Sequence, residues 1–363
     1  MRILLLNFER GWRGGERQTL YCLQQLRLLG HDVQLLARDG EPLAQAARQG
    51  GFVVHGVGSV PALLAFLLVR GRQFDVLHAQ TANTLTWLAV LKPVLRGRIV
   101  FTRRTAFPVS LSKLRKTLWK WRRVDGFAAI SEAAAAEPRR LGLDVTIVRS
   151  AAEPAVADLE RIEALRKQYG LHGRRVVGTT AALTREKDPL TLIRAAHHLR
   201  KTHPDVMFVH FGADGDVSFA ARQLVTELSL GSHYVFAGFV SGVESLYGLF
   251  EVFALSSTHE ALGSSVLDAF YQRVPVVATR AGGLKEVLAE GRGVLCDVAD
   301  YRAMASGIAQ LLDDTALRAR VTQCAYDYVW AEHDVGQMAQ RYATLYERVC
   351  ALGEARNPSS GVG

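Results

Sequence analysis

Cysteine is scarce in this sequence, and long apolar segments are absent. The four cysteines lie far apart and include no C-x-x-C pair, which argues against a disulfide framework and a zinc site and favours a reducing compartment. The apolar run at residues 60–69 has about half the length that a membrane-spanning helix needs. The apolar run at the start of the sequence is too short for a signal peptide. We therefore expect a cytoplasmic protein without a transmembrane anchor.

Acidic residues are few in the first part of the chain. Residues 1–150 carry 23 Lys and Arg against 10 Asp and Glu, a net charge of +13, whereas residues 151–363 carry a net charge of −4. The overall composition, with 49% hydrophobic and 22% charged residues, is that of a globular enzyme and excludes disorder, collagen and a coiled coil. The charge asymmetry indicates that the first part faces an anionic partner.

Short apolar runs alternate with amphipathic stretches along almost the whole sequence. This alternation of strand and helix is typical of parallel sheets with crossover helices. We therefore predict an α/β protein with two Rossmann-like, doubly wound parallel-sheet domains that face each other across a cleft. The predicted strands are residues 3–6, 33–36, 53–57, 76–78, 99–102, 127–130, 146–148, 176–180, 206–211, 234–236, 252–255, 275–278 and 293–295.

The boundaries of the two domains follow from the same pattern. The first series of strands ends at residues 146–148, and a polar, helical stretch precedes the second series. We place the first domain at residues 1–155 and the second at residues 156–332. Residues 353–363, which include an Asn-Pro-Ser-Ser-Gly sequence, are predicted to form a flexible tail.

The most informative segment is residues 257–270, which follow a predicted strand and a turn. Residues 263–265, Gly-Ser-Ser, open a predicted helix, whose first backbone N–H groups and dipole suit an anion such as a diphosphate. Glu260 lies just before this helix, and Asp268 lies one to two turns inside it. Two carboxylates beside a phosphate site suit a sugar nucleotide, because they accept hydrogen bonds from vicinal hydroxyls. An ordinary helix start with one stray acid also fits this local pattern.

These residues resemble the motifs of a large family, the retaining GT-B glycosyltransferases of family 4. The family signature is a pair of acids spaced E-x7-E, then a G-x-P-V-V-A-T strand and a G-G-x-x-E turn. Here the pair is Glu260 and Asp268, followed by residues 274–279 and 282–286. The resemblance covers residues 1 to about 350. Its other segments, in order, are Gly14-Gly15-Glu16, Gly30-His31-Asp32-Val33, Asp75-Val76-Leu77-His78, Ile130-Ser131-Glu132, Leu183 to Asp188 and Phe236 to Phe239.

The resemblance implies that the first domain binds the acceptor and the second binds a nucleotide-sugar donor. It also implies that a final helix, at about residues 333–350, joins the first domain. It assigns Lys187 to the donor diphosphate, where an ammonium offsets charge on the leaving phosphate. Glu260 is assigned to the transferred sugar or a nearby phosphate, and Asp268 to the ribose hydroxyls. Further donor-binding residues implied by the family are Gly14, Gly15, Gly263, Ser264 and Ser265, the first two because glycine allows close approach.

Two departures from the family pattern concern the donor. Asp268 stands where the family usually has glutamate, so its shorter side chain must lie nearer the ribose or act through water. Ala182 stands where the family has an arginine before the lysine. Another guanidinium is expected to replace that arginine, and the candidates are Arg185, Arg103 and Arg104.

A third departure concerns a strand end in the first domain. Many members of the family have H-x-H where this chain has His78-Ala-Gln80. The second histidine is often placed near the donor phosphate and the acceptor hydroxyl, so Gln80 is a candidate hydrogen-bonding substitute. His78 is either a catalytic residue or a structural histidine at a strand end.

Residues 92–123 contain eleven Lys and Arg and no acid. Aromatic side chains are interleaved with these basic residues, a pattern that suits an anionic membrane surface. A helix over residues 111–123 would place apolar side chains on one face, as a transferase that acts on a glycolipid needs. A solvated basic face and a pocket for a phosphorylated soluble acceptor are the alternatives, and no motif supports nucleic acid. The residues assigned to the acceptor or the membrane are Arg103, Arg104, Lys116, Trp119 and Lys120.

We therefore predict a retaining glycosyltransferase that uses a nucleotide-diphosphate sugar and needs no metal or cofactor. The resemblance implies a front-face displacement in which the leaving phosphate takes the acceptor proton. We expect it to act in cell-envelope glycan synthesis, such as that of a lipopolysaccharide core, at the cytoplasmic face of the inner membrane. The alternatives are a nucleotide-sugar epimerase or isomerase and a catalytically weak protein that binds glycans or membranes. A dehydrogenase is disfavoured, because the glycines at residues 11–15 do not form G-x-G-x-x-G.

Overall fold

The computed structural model describes residues 1–355, which form two compact units. Unit 1 contains Met1–Ala151 and the chain from Asp334 onward, and unit 2 contains Ala152–His333. The sequence analysis places the corresponding boundaries after residues 155 and 332. Among the described residues, no helix combines the length and the apolar character needed to cross a membrane.

Unit 1 contains seven strands and seven α-helices among the described residues. Two short 3₁₀ helices, at Gly71–Gln73 and Leu111–Lys113, lie between them. In chain order the elements are β1 (Arg2–Asn7), α1 (Gly14–Leu28), β2 (Asp32–Arg38), α2 (Pro42–Gln49), β3 (Val54–Val57), α3 (Val60–Arg70), β4 (Val76–Ala79), α4 (Ala82–Leu91), β5 (Arg98–Arg103), α5 (Leu114–Trp121), β6 (Gly126–Ala129), α6 (Glu132–Arg140), β7 (Thr146–Ile147) and, at the end of the chain, α14 (Val335–Ala355).

The strands of unit 1 form one parallel sheet in the order β3-β2-β1-β4-β5-β6-β7. The interior strand β1 is a continuous apolar run, and the four side chains of residues 3–6 are fully buried. Such runs are expected where helices cover both faces of a parallel sheet. The strand order reverses between β1 and β4, so the loops that follow these two strands flank a topological switch point.

The last helix, α14, belongs to unit 1. Its buried apolar side chains, which include Met338 and Val349, join the core that contains Leu23 and Leu26 of α1. The helix runs to Ala355, so the prediction of a flexible tail is wrong for residues 353–355. Gly353 is buried, and its backbone lies close against the side chain of Arg98. The rest of the predicted tail, residues 356–363, lies outside the described residues.

Unit 2 contains six strands and seven α-helices, with a 3₁₀ helix at Val243–Leu249. In chain order they are α7 (Leu159–Tyr169), β8 (Arg175–Thr180), α8 (Pro189–Leu199), β9 (Val206–Phe211), α9 (Ser218–Glu227), β10 (Tyr234–Gly238), β11 (Val252–Leu255), α10 (Ser264–Tyr271), β12 (Val276–Thr279), α11 (Leu284–Val287), β13 (Val294–Cys296), α12 (Tyr301–Asp313) and α13 (Thr315–Glu332).

The strands of unit 2 form a second parallel sheet in the order β10-β9-β8-β11-β12-β13. The order reverses between β8 and β11, which gives unit 2 its own switch point. The two sheets confirm the predicted α/β class with two doubly wound parallel-sheet domains.

Candidate functional site

The switch point of unit 2 brings together two residues that the sequence analysis singled out. The loop after β8 carries Lys187, and the loop after β11 carries Glu260. Because β8 and β11 are neighbours in the sheet, their loops emerge side by side at its carboxyl edge. In doubly wound sheets, ligands bind in the crevice at this position.

Lys187 and Glu260 form an ion pair in which the Nζ of the lysine donates to Oε2 of the carboxylate. Both side chains are largely buried, with exposed fractions of 27% and 14%. The hydroxyl of Ser257 donates to the same carboxylate oxygen over 3.3 Å. Partial burial lowers the local dielectric, so the two charges interact more strongly here than they would in water.

Hydrogen bonds attach the loop of Lys187 to the chain that follows β11. The buried hydroxyl of Ser256 donates to the carbonyl oxygens of Lys187 and Asp188 over 3.1 and 2.7 Å. The backbone N–H of Thr258 donates to the carbonyl of Glu186 over 2.8 Å. The position of the lysine is therefore determined by the same segment that carries its carboxylate partner.

Asp188 ends this loop in a conformation that is rare for a residue other than glycine. Its φ is 44°, in the left-handed region, and it is the N-cap of α8. Its carboxylate accepts hydrogen bonds from the backbone N–H and the hydroxyl of Thr191, over 3.3 and 2.6 Å. These bonds offset the backbone strain, because a short polar side chain can satisfy the helix start locally.

The helix α10 begins beside this ion pair. Gly263, its N-cap, has a φ of 93°, and a Cβ there would lie 2.6 Å from the side chain of Leu284. Ser264 and Ser265 are half-buried in the first turn, whose leading N–H groups have no acceptor inside the helix. Asp268 lies in the next turn and is only 6% exposed. The structure therefore brings residues 263–265 into one region with Glu260.

A glycine turn supports the backbone of Glu260. The N–H of Gly283 donates to the carbonyl of Glu260 over 2.9 Å. Gly282 has a φ of 48°, and a Cβ on it would clash with that same carbonyl oxygen. Both the conformation and the close approach require glycine at this position.

The structure does not bring Arg185 into this cluster. Its side chain is 87% exposed, and its Nε lies 4.0 Å from Asp216. The backbone N–H of Arg185 also donates to Asp216, over 3.0 Å. Arg185, one of the three candidates to replace the missing family arginine, therefore does not lie with Lys187 in this structure.

Four predicted residues lie together at the switch point of unit 1. Gly14 and Gly15 form the start of α1 after β1, and Gln80 follows β4. Arg104, which follows β5, donates from Nη2 to Oε1 of Gln80 over 2.5 Å. A Cβ on Gly15 would lie 3.8 Å from Cδ of Arg104, so the arginine side chain packs beside the first turn of α1.

His78 lies in the interior of unit 1, and a catalytic role does not fit its contacts. The residue is fully buried. Its Nδ1 lies 2.7 Å from the Tyr346 hydroxyl and its Nε2 lies 2.8 Å from the Thr102 hydroxyl. Burial, assisted by the charge of Arg104, lowers the pKa of His78 to about 3. Of the two alternatives, the structural histidine is therefore the one that the structure supports.

The structure places Arg103 in the interior of unit 1, not at a surface where the predicted acceptor or membrane contact would form. Successive side chains of a strand point to opposite faces, and Arg103 at the end of β5 points inward. Its buried guanidinium donates to the carbonyls of Ala134, over 3.0 Å, and Phe107, and lies 5.2 Å from the ring centroid of Trp121. Arg104, one residue later, leaves the strand towards the switch point.

The predicted basic helix is shorter than expected, since α5 covers only Leu114–Trp121. Leu111, in the preceding 3₁₀ helix, is 88% exposed and does not join a buried face. Lys116 is exposed, and Trp119 is 40% exposed with the Arg123 guanidinium 4.2 Å from its ring centroid. Cationic and aromatic groups are therefore presented together on the surface of α5.

Lys120 differs from these two residues because it is tied to a neighbouring helix. Its Nζ donates to the carbonyl of Ala82 over 3.2 Å and to the hydroxyl of Thr86 over 3.3 Å, both in α4. Burial lowers the pKa of Lys120, with a further contribution from the charge of Lys116. Its main contact in the structure is thus with α4.

Sequence reasoning missed several residues that build these two regions. Ser256 was not singled out, although a polar residue directly after a buried strand is a recognisable signal for a site at the carboxyl edge of a sheet. Tyr342 and Tyr346 were missed as well, and no local pattern connects them with Thr102 or His78. Among residues 1–355, no group of three or more His, Cys, Asp or Glu side chains is placed to hold a metal ion.

Comparison with protein families gives one match in each unit. Residues 12–149 match the family described as Glycosyltransferase Family 4. Residues 161–328 match the family described as Glycosyl transferases group 1. The two matches lie side by side along the chain and leave only short segments unmatched between them and at the ends.

Individual relatives and structures agree with these matches. The lipopolysaccharide core biosynthesis glycosyltransferase LpsE of Rhizobium meliloti is 30% identical over 42% of this chain, and the match spans only 43% of LpsE. LpsD of the same organism, which has the same description, is 25% identical over 96% of this chain and 98% of its own. The crystal structure of Anabaena HepE in complex with UDP-glucose superimposes with a TM-score of 0.86, at 22% identity, over 96% of this chain and all of HepE. Both units therefore match glycosyltransferase families, and the chain has the two-domain fold of the GT-B class.

Proposed function

We propose that this chain transfers a sugar from a nucleoside-diphosphate sugar to an acceptor hydroxyl, with retention of configuration. Unit 2 binds the donor and unit 1 binds the acceptor. The observation that carries the proposal is the Lys187–Glu260 pair at the switch point of unit 2, beside the start of α10. The complex of HepE with UDP-glucose supports a nucleotide-sugar donor for this fold.

When the donor binds, the oxygens of its diphosphate replace the carboxylate of Glu260 as the partner of the Lys187 ammonium. Glu260 then accepts hydrogen bonds from hydroxyls of the transferred sugar, and Asp268 accepts those of the ribose. The N–H groups of residues 263–265 complete the diphosphate site. As the glycosidic bond breaks, negative charge grows on the diphosphate, and preorganised donors of this kind each stabilise it by about 3 kcal/mol.

The leaving phosphate takes the acceptor proton on the same face of the sugar, so the configuration is retained without a nucleophile from the protein. Lys187 and the start of α10 supply the positive potential on the phosphates, and the transfer therefore needs no bound metal. Catalysis on this scheme comes from positioning and from charge stabilisation.

The acceptor is a glycolipid of the cell envelope, in the manner of a lipopolysaccharide core. Support comes from the similarity to LpsE and LpsD, which are lipopolysaccharide core biosynthesis glycosyltransferases, and from the net charge of +13 in residues 1–150. The exposed surface of α5, with Lys116 and Trp119, contacts the anionic cytoplasmic face of the inner membrane. Each basic residue near such a surface contributes about 1 kcal/mol.

The donor site is tested by thermal unfolding with UDP, GDP, ADP, CMP and NAD, each with and without magnesium. A ligand at about a hundred times its Kd adds roughly 2.7 kcal/mol and raises the midpoint by several degrees. We expect one diphosphate to act without magnesium, and Lys187→Ala to abolish the shift. Lys201→Ala, which changes an exposed lysine of unit 2, should leave it intact. A shift with NAD alone, or one that survives in Lys187→Ala, would contradict the proposal.

The transfer itself is followed by NMR of the anomeric proton of the product. Turnover of the nucleotide sugar in the absence of any acceptor would favour an epimerase or isomerase instead. Membrane contact is measured by co-sedimentation with phosphatidylglycerol and phosphatidylcholine vesicles. Lys116→Glu should weaken binding to the anionic vesicles, whereas Lys167→Glu in unit 2 should not, and equal binding to both lipids would contradict the contact.

A further inference from the structure

Arg104 is a partly buried cation of unit 1 that has no acidic partner. Its Nη2 donates to Oε1 of Gln80 over 2.5 Å and its Nη1 donates to the hydroxyl of Ser150 over 3.4 Å. A guanidinium has five N–H donors, so three remain, including the buried Nε, which has no hydrogen-bond partner among the described residues. In the part of the chain that the structure describes, no carboxylate forms an ion pair with it.

Four buried titratable groups whose pKa responds to the charge of Arg104 are uncharged at neutral pH. Burial lowers the pKa of His78 to about 3 and raises those of Cys22 and Tyr342 to about 12. Burial also raises the pKa of Tyr346 well above its usual value. The guanidinium therefore lies beside four neutral groups and forms no ion pair with a described residue, so an anionic ligand would stabilise it.

A chain of hydrogen bonds determines the orientation of this guanidinium. The amide of Gln80 accepts from Arg104 and places its Nε2 3.0 Å from Nδ1 of His78. The same ring nitrogen lies 2.7 Å from the hydroxyl of Tyr346 in α14. Since His78 and Tyr346 are fully buried, they hold the amide in one orientation, and the amide in turn holds the guanidinium plane.

We propose that Arg104 binds an anionic group of the acceptor, a phosphate or a carboxylate, and that Gln80, His78 and Tyr346 are positioning residues for it. The remaining N–H donors of a planar guanidinium match two oxygens of such a group. The ligand's identity as acceptor rests on the proposed function, whereas the anion site does not.

Binding of inorganic phosphate and of malonate to the full-length protein, measured by calorimetry, tests the site and distinguishes the two anions. Arg104→Gln should weaken binding of the preferred anion roughly 10- to 100-fold, as expected for loss of a charge-assisted pair. Arg115→Gln, at an exposed residue of α5, is the control for charge and should have no effect. Lys187→Ala should keep anion binding and lose only nucleotide binding. A failure of this proposal can therefore be distinguished from a failure of the proposed donor site. Equal affinities of Arg104→Gln and the natural protein, or no binding of either anion, would overturn the proposal.

Two variants test the positioning residues. Both the affinity for the anion and the melting temperature are measured for each. Gln80→Glu supplies a carboxylate to Arg104 and should abolish anion binding while the melting temperature holds or rises. Tyr346→Phe should raise the Kd for the anion several-fold and leave nucleotide affinity unchanged. If Gln80→Glu does not fold, Arg104→Lys is used in its place. This variant keeps the positive charge without the planar pairing, and it should bind the anion more weakly than the natural protein does. A lower melting temperature with an unchanged Kd in Tyr346→Phe would overturn the positioning role.

Discussion

The left-handed conformation of Asp188 leads to opposite expectations for two small substitutions. Asp188→Ala removes the cap of α8 and keeps the strained backbone, which lowers the free energy of unfolding by about 1 kcal/mol. Asp188→Gly relieves a strain of about 1–2 kcal/mol. The glycine variant loses only a few tenths of a kcal/mol of stability at the helix cap. Its more flexible unfolded chain lowers the free energy of unfolding by about a further 0.5–1 kcal/mol. The glycine variant should therefore be more stable than the alanine variant by about 1–2 kcal/mol.

Scanning calorimetry of the intact chain measures this difference. The transition of unit 2 is identified by its shift with the bound nucleotide, and in a unit of this size about 1 kcal/mol corresponds to a shift of about 2–4 °C. Asp188→Asn, which keeps both a capping oxygen and tolerance of the left-handed region, is the matched control and should melt like the natural protein. Because Lys187 precedes this residue, the alanine variant should also bind nucleotide more weakly. An alanine variant that melts with or above the glycine variant would refute the strain argument.

Two further predictions concern a glycine and two buried histidines. In a denaturant titration, Gly282→Ala should lower the free energy of unfolding by about 1–3 kcal/mol, because its Cβ meets the carbonyl of Glu260. The control Gly231→Ala, at a glycine with open space around it, should change the free energy of unfolding very little. Burial lowers the pKa of His78 to about 3 and of His210 to about 4, so below about pH 6.5 the unfolded chain binds protons that the folded chain does not. The free energy of unfolding should therefore fall by more than about 1 kcal/mol per pH unit for each histidine down to about pH 4, and a flat profile of denaturation midpoints would contradict their burial as neutral rings.

The fold could be predicted because its determinants are local. A strand covered on both faces must be an apolar run, as residues 3–6 and 252–255 are, and glycines mark places such as Gly263 where the backbone turns left-handed. The end of α14 was predicted wrongly because the residues beside it, such as Arg98 next to Gly353, lie far away in sequence. Composition at the end of a chain carries no information about such a contact.

The site could be predicted where the chemistry lies in the residues themselves. Lys187 and Glu260 were identified from motif spacing, and the reversal of strand order brings them together. The opposite directions of Arg103 and Arg104 could not be read from alternation, because β5 ends at Arg103 and both faces of the sheet are buried. The role of His78 could not be predicted either, because its partner Tyr346 lies 268 positions away and no periodicity reaches that far.

The return of α14 to unit 1 has a consequence for synthesis of the chain. All of unit 2 lies between Ala151 and Asp334, so it leaves the ribosome before the helix that completes unit 1. Unit 2 can fold as one continuous segment, while the first 151 residues wait with part of their apolar core uncovered. When α14 returns to unit 1 it closes a loop that contains all of unit 2, and the entropy cost of this closure makes the step slow. A nascent chain in this state exposes apolar surface that chaperones bind. A premature stop before α14 would therefore leave unit 2 intact and unit 1 prone to aggregation.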